Sequence, residues 1–407
     1  MIKWKDVSLK DISSYSTERI NVDKLTVSNY ISTENMLPDR GGKIKASSLP
    51  SSKTVSKYES DDILISNIRP YFKKIWYANQ TGGCSNDVLV IRNNNPEKIV
   101  SRYLYYCLFT DDFFDYVMSG AKGAKMPRGD KDEIMKYQIS LPPLSVQEQI
   151  AEMLTNIDNK ISLNTKMNKT LEEIAINLYN EWFTNFGPFQ DGEFVESELG
   201  MIPKGWEVLE IGNAIQILGG GTPKTSVEGY WNGGQINWFS PTDLTTQKSL
   251  FLTNSAKKIT KLGLKKSSAK LFPPYSVMMT SRATIGEISI NRTEASTNQG
   301  FITLIPNEDF SIYQLNFWLR SNMEIILSIS NGSTFKEVSK TNFNKLKILK
   351  AKGIEEFIDK CEKLFDKIEL NILESEELTR LRNYLLPRLL SGEIDVTKAE
   401  KEISEVL

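Results

Sequence analysis

The chain has 407 residues, of which 40% are hydrophobic, 10% aromatic and 25% charged, and these values predict a soluble globular protein of two to three domains. Its 50 basic and 51 acidic residues leave a formal net charge of −1, which alone argues against a nucleic-acid binder. The absence of histidine excludes an imidazole base, a Ser–His or Cys–His pair and a His-ligated metal. The three cysteines are far apart in the sequence, the N-terminal residues do not resemble a signal peptide, and no apolar run is long enough to span a bilayer. These features predict a cytoplasmic protein.

Residues 1–143 predict a mixed α/β domain. A strand pattern at 62–67 precedes Arg69, and further strand patterns occupy 74–78 and 88–91. A helix-period segment and a glycine loop near residue 123 complete the domain.

A long helical spacer is predicted over residues 144–187, followed by a linker at 188–200. A proline pair precedes the helix, and Ser145 with Glu148 has the spacing of a capping box. Apolar residues then recur at alternating spacings of three and four, which is typical of a heptad seam.

Residues 201–352 repeat the pattern of the first domain, and residues 353–395 repeat the spacer at an offset of 207. Within the repeat, 276–281 resembles 62–67, and Arg282 follows as Arg69 does. We expect Pro387 to kink or end the second helix, which leaves 396–407 as a tail. The fold class is therefore α/β (α+β), with two tandem mixed domains and two long helices.

The two helices are expected to pair as an antiparallel coiled coil with pseudo-two-fold symmetry. This pairing brings Asn164 and Asn371 together near the helix midpoints, where a polar pair fixes register at a cost in stability. A loosely packed, hydrated midpoint explains the two asparagines equally well. The predicted seam consists of Ile150, Leu154, Ile161, Asn164, Leu171, Leu178, Phe357, Leu364, Ile368, Asn371, Leu378 and Leu385.

The near-zero net charge hides an alternation along the chain. The two α/β segments carry +4 and +8, whereas the two helical segments that follow them carry −7 and −6. Basic side chains of the α/β segments suit phosphate contacts, although lysine runs are more often solvated faces. The candidate DNA contacts are Asn67, Arg69, Lys73, Lys74, Lys122, Lys125, Arg128, Lys257, Lys258, Lys265, Lys266, Arg282, Asn298, Lys336 and Lys340, with the loops at 120–131 and 331–341.

No catalytic or metal-ligating constellation is predicted. Residues 219–225, which are glycine-rich, lack the spacing of a phosphate loop, and Phe272 stands where Pro273-Pro274-Tyr275 would need a catalytic Asp or Asn. Two alternatives to DNA recognition stay open at this point: a non-DNA scaffold whose repeated domains grip proteins, and a stand-alone enzyme.

Three motifs carry a family resemblance. The segments 141–151 (LPPLSVQEQIA), 199–206 (LGMIPKGW) and 385–394 (LLPRLLSGEI) resemble the specificity subunit of type I restriction-modification systems. The second spacer departs from the pattern, because it begins without a proline pair.

The resemblance implies a non-catalytic subunit with two target-recognition domains, residues 1–143 and 201–352, each reading one half of a bipartite, asymmetric DNA sequence. It implies that the helices set the gap between the half-sites and dock two methyltransferase subunits. Those subunits would hold S-adenosylmethionine, and restriction motor-nuclease subunits would join for cleavage.

Overall fold

The computed structural model describes residues 4–123, 125–332 and 336–406, without the side chains of residues 402–406. The chain forms two compact units, one comprising the residues up to 161 with those from 376 onward, and the other residues 162–375. Each unit holds one mixed α/β domain and one half of each of two long helices. The helical segments therefore do not form a unit of their own.

Among its described residues, the first domain has short strands, three short helices and 3-10 turns at Leu9–Asp11, Val22–Lys24 and Pro70–Phe72. Its strands are β1 (Lys5–Ser8), β2 (Ser13–Tyr15), β3 (Arg19–Asn21), β4 (Tyr30–Ile31), β5 (Thr54–Tyr58), β6 (Ile63–Ser66), β7 (Ile75–Tyr77), β8 (Gly82–Cys84), β9 (Val88–Asn93) and β10 (Gln138–Leu141). Its helices are α1 (Ser101–Leu108), α2 (Asp111–Ser119) and α3 (Lys131–Ile134).

The strands of the first domain form three sheets. One sheet has the order β2-β9-β6-β7, a second has the order β3-β5-β8-β4, and β1 pairs antiparallel with β10. Strand β6 is buried along its whole length, as expected for the centre of a sheet. The pairing of β1 with β10 closes the domain just before the long helix α4 (Leu144–Phe183) begins.

A hairpin of β11 (Phe194–Ser197) and β12 (Gly200–Pro203) leads into the second domain. Its strands are β13 (Glu207–Glu210), β14 (Gln216–Gly219), β15 (Ile236–Phe239), β16 (Phe251–Leu252), β17 (Lys257–Ile259), β18 (Val277–Thr280), β19 (Ile288–Asn291), β20 (Ala295–Thr297), β21 (Phe301–Ile305) and β22 (Lys347–Lys350). Its helices are α5 (Ile211–Ala214), α6 (Pro241–Gln247), α7 (Lys261–Lys265), α8 (Ile312–Ser321), α9 (Met323–Ser328) and α10 (Lys340–Phe343), with a 3-10 turn at Glu228–Tyr230.

The second domain repeats one sheet order of the first, since β14-β21-β18-β19 corresponds to β2-β9-β6-β7 with β16 added, whereas its other sheet has three strands instead of four. Its largest sheet has the order β14-β21-β18-β19-β16, a second has the order β17-β15-β20, and β13 pairs with β22 as β1 does with β10. The chain ends with α11 (Glu355–Ser391) and α12 (Val396–Val406). No helix in the described ranges is both long enough and apolar enough to cross a membrane.

Helix α4 begins differently from the predicted capping box. The carbonyl of Pro143 accepts the N–H groups of Val146 and Gln147, so Ser145 lies inside the helix. Gln147 is fully buried, and its amide bonds the backbone of the first domain at Lys98, Val100 and Pro142 over 2.9 to 3.0 Å. This glutamine therefore fixes the start of the helix against the domain.

Helix α11 does not end at Pro387, as the sequence predicts it could, but continues to Ser391 with the proline inside it. The helix stops before Gly392, which has a φ of +73°, a backbone conformation that glycine adopts readily. The segment predicted as a tail contains α12, whose Ala399 is fully buried in the core of the first unit.

The predicted pairing of the two long helices is confirmed within each unit. In the first unit Ile150, Leu154 and Ile157 of α4 share one core with Leu378, Leu381, Leu385 and Leu389 of α11. The chain directions are opposite, because an early part of α4 packs on a late part of α11. Ile161 is only partly buried at the edge of this core.

In the second unit the helix contact is wider than the predicted seam. Phe357 and Ile368 are buried as predicted, but Leu171, Leu178 and Leu364 are only partly buried. The neighbours Tyr179 and Phe365 are buried more fully, since their rings also meet Phe317 of the second domain at centroid distances of 5.9 and 5.7 Å. A helix that packs on both a helix and a domain needs an apolar face broader than two heptad positions.

The two seam asparagines meet, as the antiparallel register predicts. The side-chain amide of Asn164 donates to the carbonyl of Asn371 over 3.3 Å and to Glu374 over 2.8 Å, and that of Asn371 donates to Asn168 over 2.8 Å. Asn164 and Asn371 are each only 1% exposed. These hydrogen bonds between the two helices agree with the register role, because a slip of one helix along the other would break them. The Oδ1 atom of Asn164 is buried and has no hydrogen-bond partner among the described residues.

In each unit an acidic side chain of a long helix binds a tyrosine and an arginine. In the first unit Asp158 of α4 accepts the hydroxyl of Tyr106 over 2.8 Å and pairs with Arg382 over 2.7 Å. In the second unit Glu369 of α11 pairs with Arg292 over 2.6 Å and accepts the hydroxyl of Tyr275 over 3.3 Å. The two joints are not related by the 207-residue repeat, and they differ in their partners. Arg382 lies on α11, so the first ion pair joins the two helices, whereas Arg292 belongs to the second domain.

Candidate nucleic-acid interface

The predicted glycine loop of the first domain is a short hairpin. Lys122 and Arg128 exchange both backbone hydrogen bonds at 2.9 Å, and Gly123 takes a φ of +97° in the turn between them. Lys122 and Lys125 are exposed, and Lys122 pairs with Asp130 over 2.6 Å. This hydrogen-bonded ion pair raises the pKa of the Lys122 amine. Ala124 lies outside the described residues.

The base of this hairpin is fastened to the segment that follows β6. The N–H of Gly129 donates to the carbonyl of Asn67, and the N–H of Arg69 donates to that of Pro127 over 2.8 Å. Beside these bonds Arg128 pairs with Asp87 over 3.0 Å, while both side chains stay partly exposed. The structure therefore brings Arg69, Lys122, Lys125 and Arg128 onto one anchored loop region.

Three other candidates of the first domain have internal roles. Asn67 is only 8% exposed, so its predicted role as an exposed reader is not supported, and its backbone holds the hairpin instead. Lys73 pairs with Asp111, and the Lys74 amine donates to the carbonyl of Thr33 over 2.6 Å. Burial lowers the pKa of Lys74 below its usual range.

The second domain has an equivalent hairpin. Asn331 and Glu337 exchange backbone hydrogen bonds at 2.9 and 2.8 Å, and Gly332 takes a φ of +112°. The N–H of Val338 donates to the carbonyl of Ser281, and that of Ala283 donates to Lys336 over 3.1 Å. The part of the predicted loop at 333–335 lies outside the described residues. The same fastening therefore occurs at the base of both hairpins.

These hydrogen bonds give the two domains a common register. Arg69 corresponds to Ala283, and both have a positive φ, of 50° and 62°. Arg282 corresponds to Ile68, so the two arginines occupy neighbouring positions that are not equivalent. Arg282 forms an ion pair with Glu337 over 3.7 Å, with both side chains about half exposed. Each hairpin base thus carries an exposed arginine paired with a carboxylate. In the first domain the arginine, Arg128, belongs to the hairpin, whereas in the second domain the carboxylate, Glu337, does.

The remaining candidates of the second domain are distributed over its surface. Lys257 is exposed on the edge strand β17 with its amine 5.9 Å from the ring of Trp231, while Lys258 is half-buried beside Asn254. Lys265, Lys266, Lys336 and Lys340 are exposed. Asn298 is half-buried, and its side-chain oxygen accepts the N–H of Gly300, which makes it a turn residue in this structure.

The glycine run at 219–221 has a packing role that sequence reasoning missed. The N–H of Gly221 donates to the carbonyl of Thr297, and a Cβ on Gly220 would lie 1.9 Å from the Asn298 carbonyl oxygen. The close approach lets the Thr222 hydroxyl reach Gln299 over 2.6 Å, and both side chains are exposed. The signal in the sequence was three consecutive glycines followed by polar residues, which is typical of a close backbone approach.

Comparison with known proteins identifies the family. The family described as "Type I restriction modification DNA specificity domain" matches residues 1–173 and 203–349, which is most of the chain and covers both domains. The chain belongs to this family. Its relatives include the type I restriction enzyme HindI specificity subunit of Haemophilus influenzae, 24% identical over 97% of this chain and 100% of the relative.

A second relative of the type I specificity family is similar over a shorter stretch. The MjaIX specificity subunit of Methanocaldococcus jannaschii is 35% identical over 38% of this chain and 36% of the relative. Among solved structures, the type I restriction-modification S subunit of M. genitalium covers 95% of this chain and 96% of its own, with a TM-score of 0.53 and 14% identity. This structural likeness confirms the fold of a type I specificity subunit.

Proposed function

We propose that this chain is the DNA-recognition subunit of a type I restriction-modification complex, in which each α/β domain reads one half of a bipartite, asymmetric target. The observation that carries the proposal is the repeated hairpin, fastened by the same backbone bonds in both domains and flanked each time by an exposed arginine. Two similar domains on one chain can read two half-sites, and their linkage raises the effective concentration of the second.

The long helices fit the role of a ruler between the half-sites. Their buried asparagine cluster and their polar joints to each domain favour one register. We propose that they also dock two methyltransferase subunits, that S-adenosylmethionine binds to those subunits, and that restriction motor-nuclease subunits join for cleavage. The chain itself would then be non-catalytic and act in the cytoplasm. Family membership and the two-domain layout support these assignments.

The exposed basic residues divide into two proposed roles. One group lies on the hairpins or on the elements next to them and would position the DNA through its phosphates and read base edges: Arg69, Lys122, Lys125, Arg128, Arg282, Lys336 and Lys340. The lysines at 257, 265 and 266 would add phosphate contacts in the second domain. Three further lysines would contribute only to the positive electrostatic potential and not contact DNA directly, because their amines already have internal partners: Lys73, Lys74 and Lys258.

Salt dependence separates DNA recognition from a protein scaffold. We expect the affinity of the purified chain with its methyltransferase subunits for duplex DNA to fall steeply with salt, because each phosphate contact releases a counterion. Six contacts would give a slope of about −5 for the logarithm of affinity against that of salt concentration. A shallow slope would favour the scaffold, and methylation by the chain alone would indicate a stand-alone enzyme.

Exchange of one domain tests the assignment of half-sites. Replacing residues 201–352 by the corresponding domain of another specificity subunit keeps β13 and β22 together, so the exchanged domain stays closed. A genome-wide map of methylated adenines is expected to show one changed half-site and the other intact. The reciprocal exchange of residues 1–143 is the control and should change the other half. A change in both halves from either exchange would contradict independent readers.

The carboxylates beside the hairpin arginines are expected to restrain DNA affinity. Asp87→Asn removes the partner of Arg128, and Glu337→Gln removes that of Arg282. Each variant should bind non-specific duplex a few-fold more tightly at low salt, and the salt slope should steepen by up to about 0.9 per freed arginine. Stability should change little, because exposed ion pairs contribute only about 0–1 kcal/mol.

A matched variant distinguishes the position of the charge from the net charge. Glu356 on α11 is also an exposed carboxylate in an ion pair, with Lys360 as its partner, and Glu356→Gln removes its charge. Titration of labelled duplex by fluorescence anisotropy should show no change for this variant. If it tightens binding as much as Asp87→Asn, the hairpin arginines have no special role.

A further inference from the structure

A turn of the first domain presents two aromatic rings to solvent. The turn is the 3-10 segment Pro70–Phe72, in which Tyr71 is 45% and Phe72 38% exposed. The two rings lie against each other with their centroids 4.7 Å apart and their planes inclined by 53°. Exposed neighbouring aromatic side chains are costly in water, so such a pair marks a contact surface.

The backbone holds this aromatic turn rigidly. The residues on both sides of the turn, Arg69 and Lys73, each have a φ of +50°. Residues other than glycine rarely adopt this backbone conformation. Main-chain N–H groups of Asp39 and Arg40 donate to the carbonyls of Phe72 and Lys73 over 2.8 and 2.9 Å. The rings are therefore pre-arranged, and binding through them orders little additional structure.

Side chains below the turn add to this support. Lys73 and Arg40 both pair with Asp111 at the start of α2, and these hydrogen-bonded pairs lower the pKa of that carboxyl. The Arg40 guanidinium also lies over the rings of Phe109 and Phe114, at 5.3 and 5.5 Å. The turn thus rests on the core of the domain and directs its own rings outward.

The exposed charges around the rings are mostly basic, which favours an anionic partner, although Asp39 is an exposed acid beside the turn. Arg69 is exposed and forms no ion pair with any residue that the structure describes, and its N–H ties the turn directly to the basic hairpin at Pro127. The hairpin adds Lys122 and Lys125 and a further exposed apolar side chain, Met126, which is 47% exposed. Cations around a small apolar tip match DNA, whose phosphates surround stacked, apolar base faces.

We infer that Tyr71 and Phe72 form an apolar wedge that enters the duplex at a base step of the half-site read by the first domain. This inference rests on the proposed DNA-recognition function. Apolar side chains inserted between base pairs partly unstack them and bend the duplex, while the flanking basic residues hold the phosphates. By the same register the second domain has Ile285 and Gly286 in place of Tyr71 and Phe72, and Ile285 packs half-buried against the core of the second unit. Unstacking is therefore confined to one half-site.

If the rings form a wedge, their removal should weaken DNA binding without changing how strongly the affinity depends on salt. With duplex containing the mapped target, Tyr71→Ala combined with Phe72→Ala should weaken binding about tenfold, the size of one lost stacking contact. The salt slope should stay unchanged, because no phosphate contact is lost. Lys122→Ala combined with Lys125→Ala should instead make the slope shallower by up to about 1.8.

Base unstacking supplies the direct readout. The base analogue 2-aminopurine, which pairs with thymine, replaces in turn each adenine of the two half-sites on either strand, except the methylated adenines, which methyltransferases extrude from the stack. Among these positions, brightening on binding of the wild-type complex is expected at one step of the first half-site only. The double variant should lose this signal, and Tyr71→Phe should retain it. The control Leu199→Ala removes an apolar side chain that is 50% exposed between β11 and β12, outside both domains and both long helices, and should change neither readout.

The outcomes separate the wedge from the proposed function. If the wild-type complex shows no salt-dependent affinity for DNA, the proposed function fails and the wedge fails with it. If it binds the target but no position of the first half-site brightens, or the double variant binds and brightens as the wild type does, the wedge alone is wrong. Should the double variant not fold, Tyr71→Ala alone, at the more exposed ring, provides the same comparison.

Discussion

Replacing Asp158 by alanine is expected to lower the free energy of unfolding of the first unit by about 3 kcal/mol. The substitution leaves the Arg382 guanidinium, only 13% exposed, without its carboxylate, and removes the main acceptor of the buried Tyr106 hydroxyl. Removing one partner of a buried ion pair costs about 3–5 kcal/mol of stability. Because the Asp158 side chain is 27% exposed, we expect a cost at the lower end of this range. Chemical denaturation followed by circular dichroism measures the change.

Two further variants test the physical reason for that loss. Glu377→Ala on α11 removes an exposed partner of Arg380 and should change stability by less than about 0.5 kcal/mol. Asp158→Leu with Arg382→Met replaces the whole pair by apolar groups and should recover much of the loss, because no buried charge then stays unpaired. If Asp158→Ala costs no more than Glu377→Ala, the ion pair of Asp158 with Arg382 does not stabilise the first unit.

The duplicated layout and the antiparallel helix pairing could be predicted from the sequence because both depend on periodicity. Heptad spacing specifies which face of a helix is apolar, and the constant offset of 207 places Asn164 opposite Asn371. The hairpin positions also followed from the repeat, since a glycine with a positive φ is needed at Gly123 and again at Gly332.

The roles of individual basic residues could not be predicted, because they depend on partners distant in the sequence. Lys73 is 38 residues from Asp111, and Lys74 is 41 residues from the carbonyl of Thr33. Asn67 stands at a strand end, where side chains are often exposed, but the hairpin folds over it. The capping box at Ser145 failed for a local reason, since the carbonyl of Pro143 accepts the first helical bonds.

The seam of the second unit was incompletely predicted because a heptad pattern describes only the contact between two helices. Tyr179 and Phe365 lie one position away from the predicted Leu178 and Leu364, and they contact the second domain as well as the facing helix. A sequence pattern alone does not show that a helix is covered on two sides. Each further packed surface widens the buried face beyond the positions that a coiled coil requires.

Phe357→Ala is expected to be among the most destabilising single substitutions in the second unit. Phe357 is fully buried, and its ring centroid lies 5.1 Å from that of Phe183, 6.1 Å from Trp182 and 6.3 Å from Tyr179. Truncating a buried phenylalanine costs about 3–5 kcal/mol, because the surrounding rings relax only partly into the cavity. Chemical denaturation followed by circular dichroism measures the loss.

The control for Phe357→Ala lies on the same helix. Leu370 is 59% exposed, so Leu370→Ala should change the free energy of unfolding by less than about 0.5 kcal/mol. Hydrogen exchange should show that Phe357→Ala opens amides of the second unit, including the late part of α4 that carries Trp182 and Phe183. A loss below about 1 kcal/mol would mean that the aromatic cluster adds little. The second domain would then be held to its helices mainly by polar joints such as that between Arg292 and Glu369.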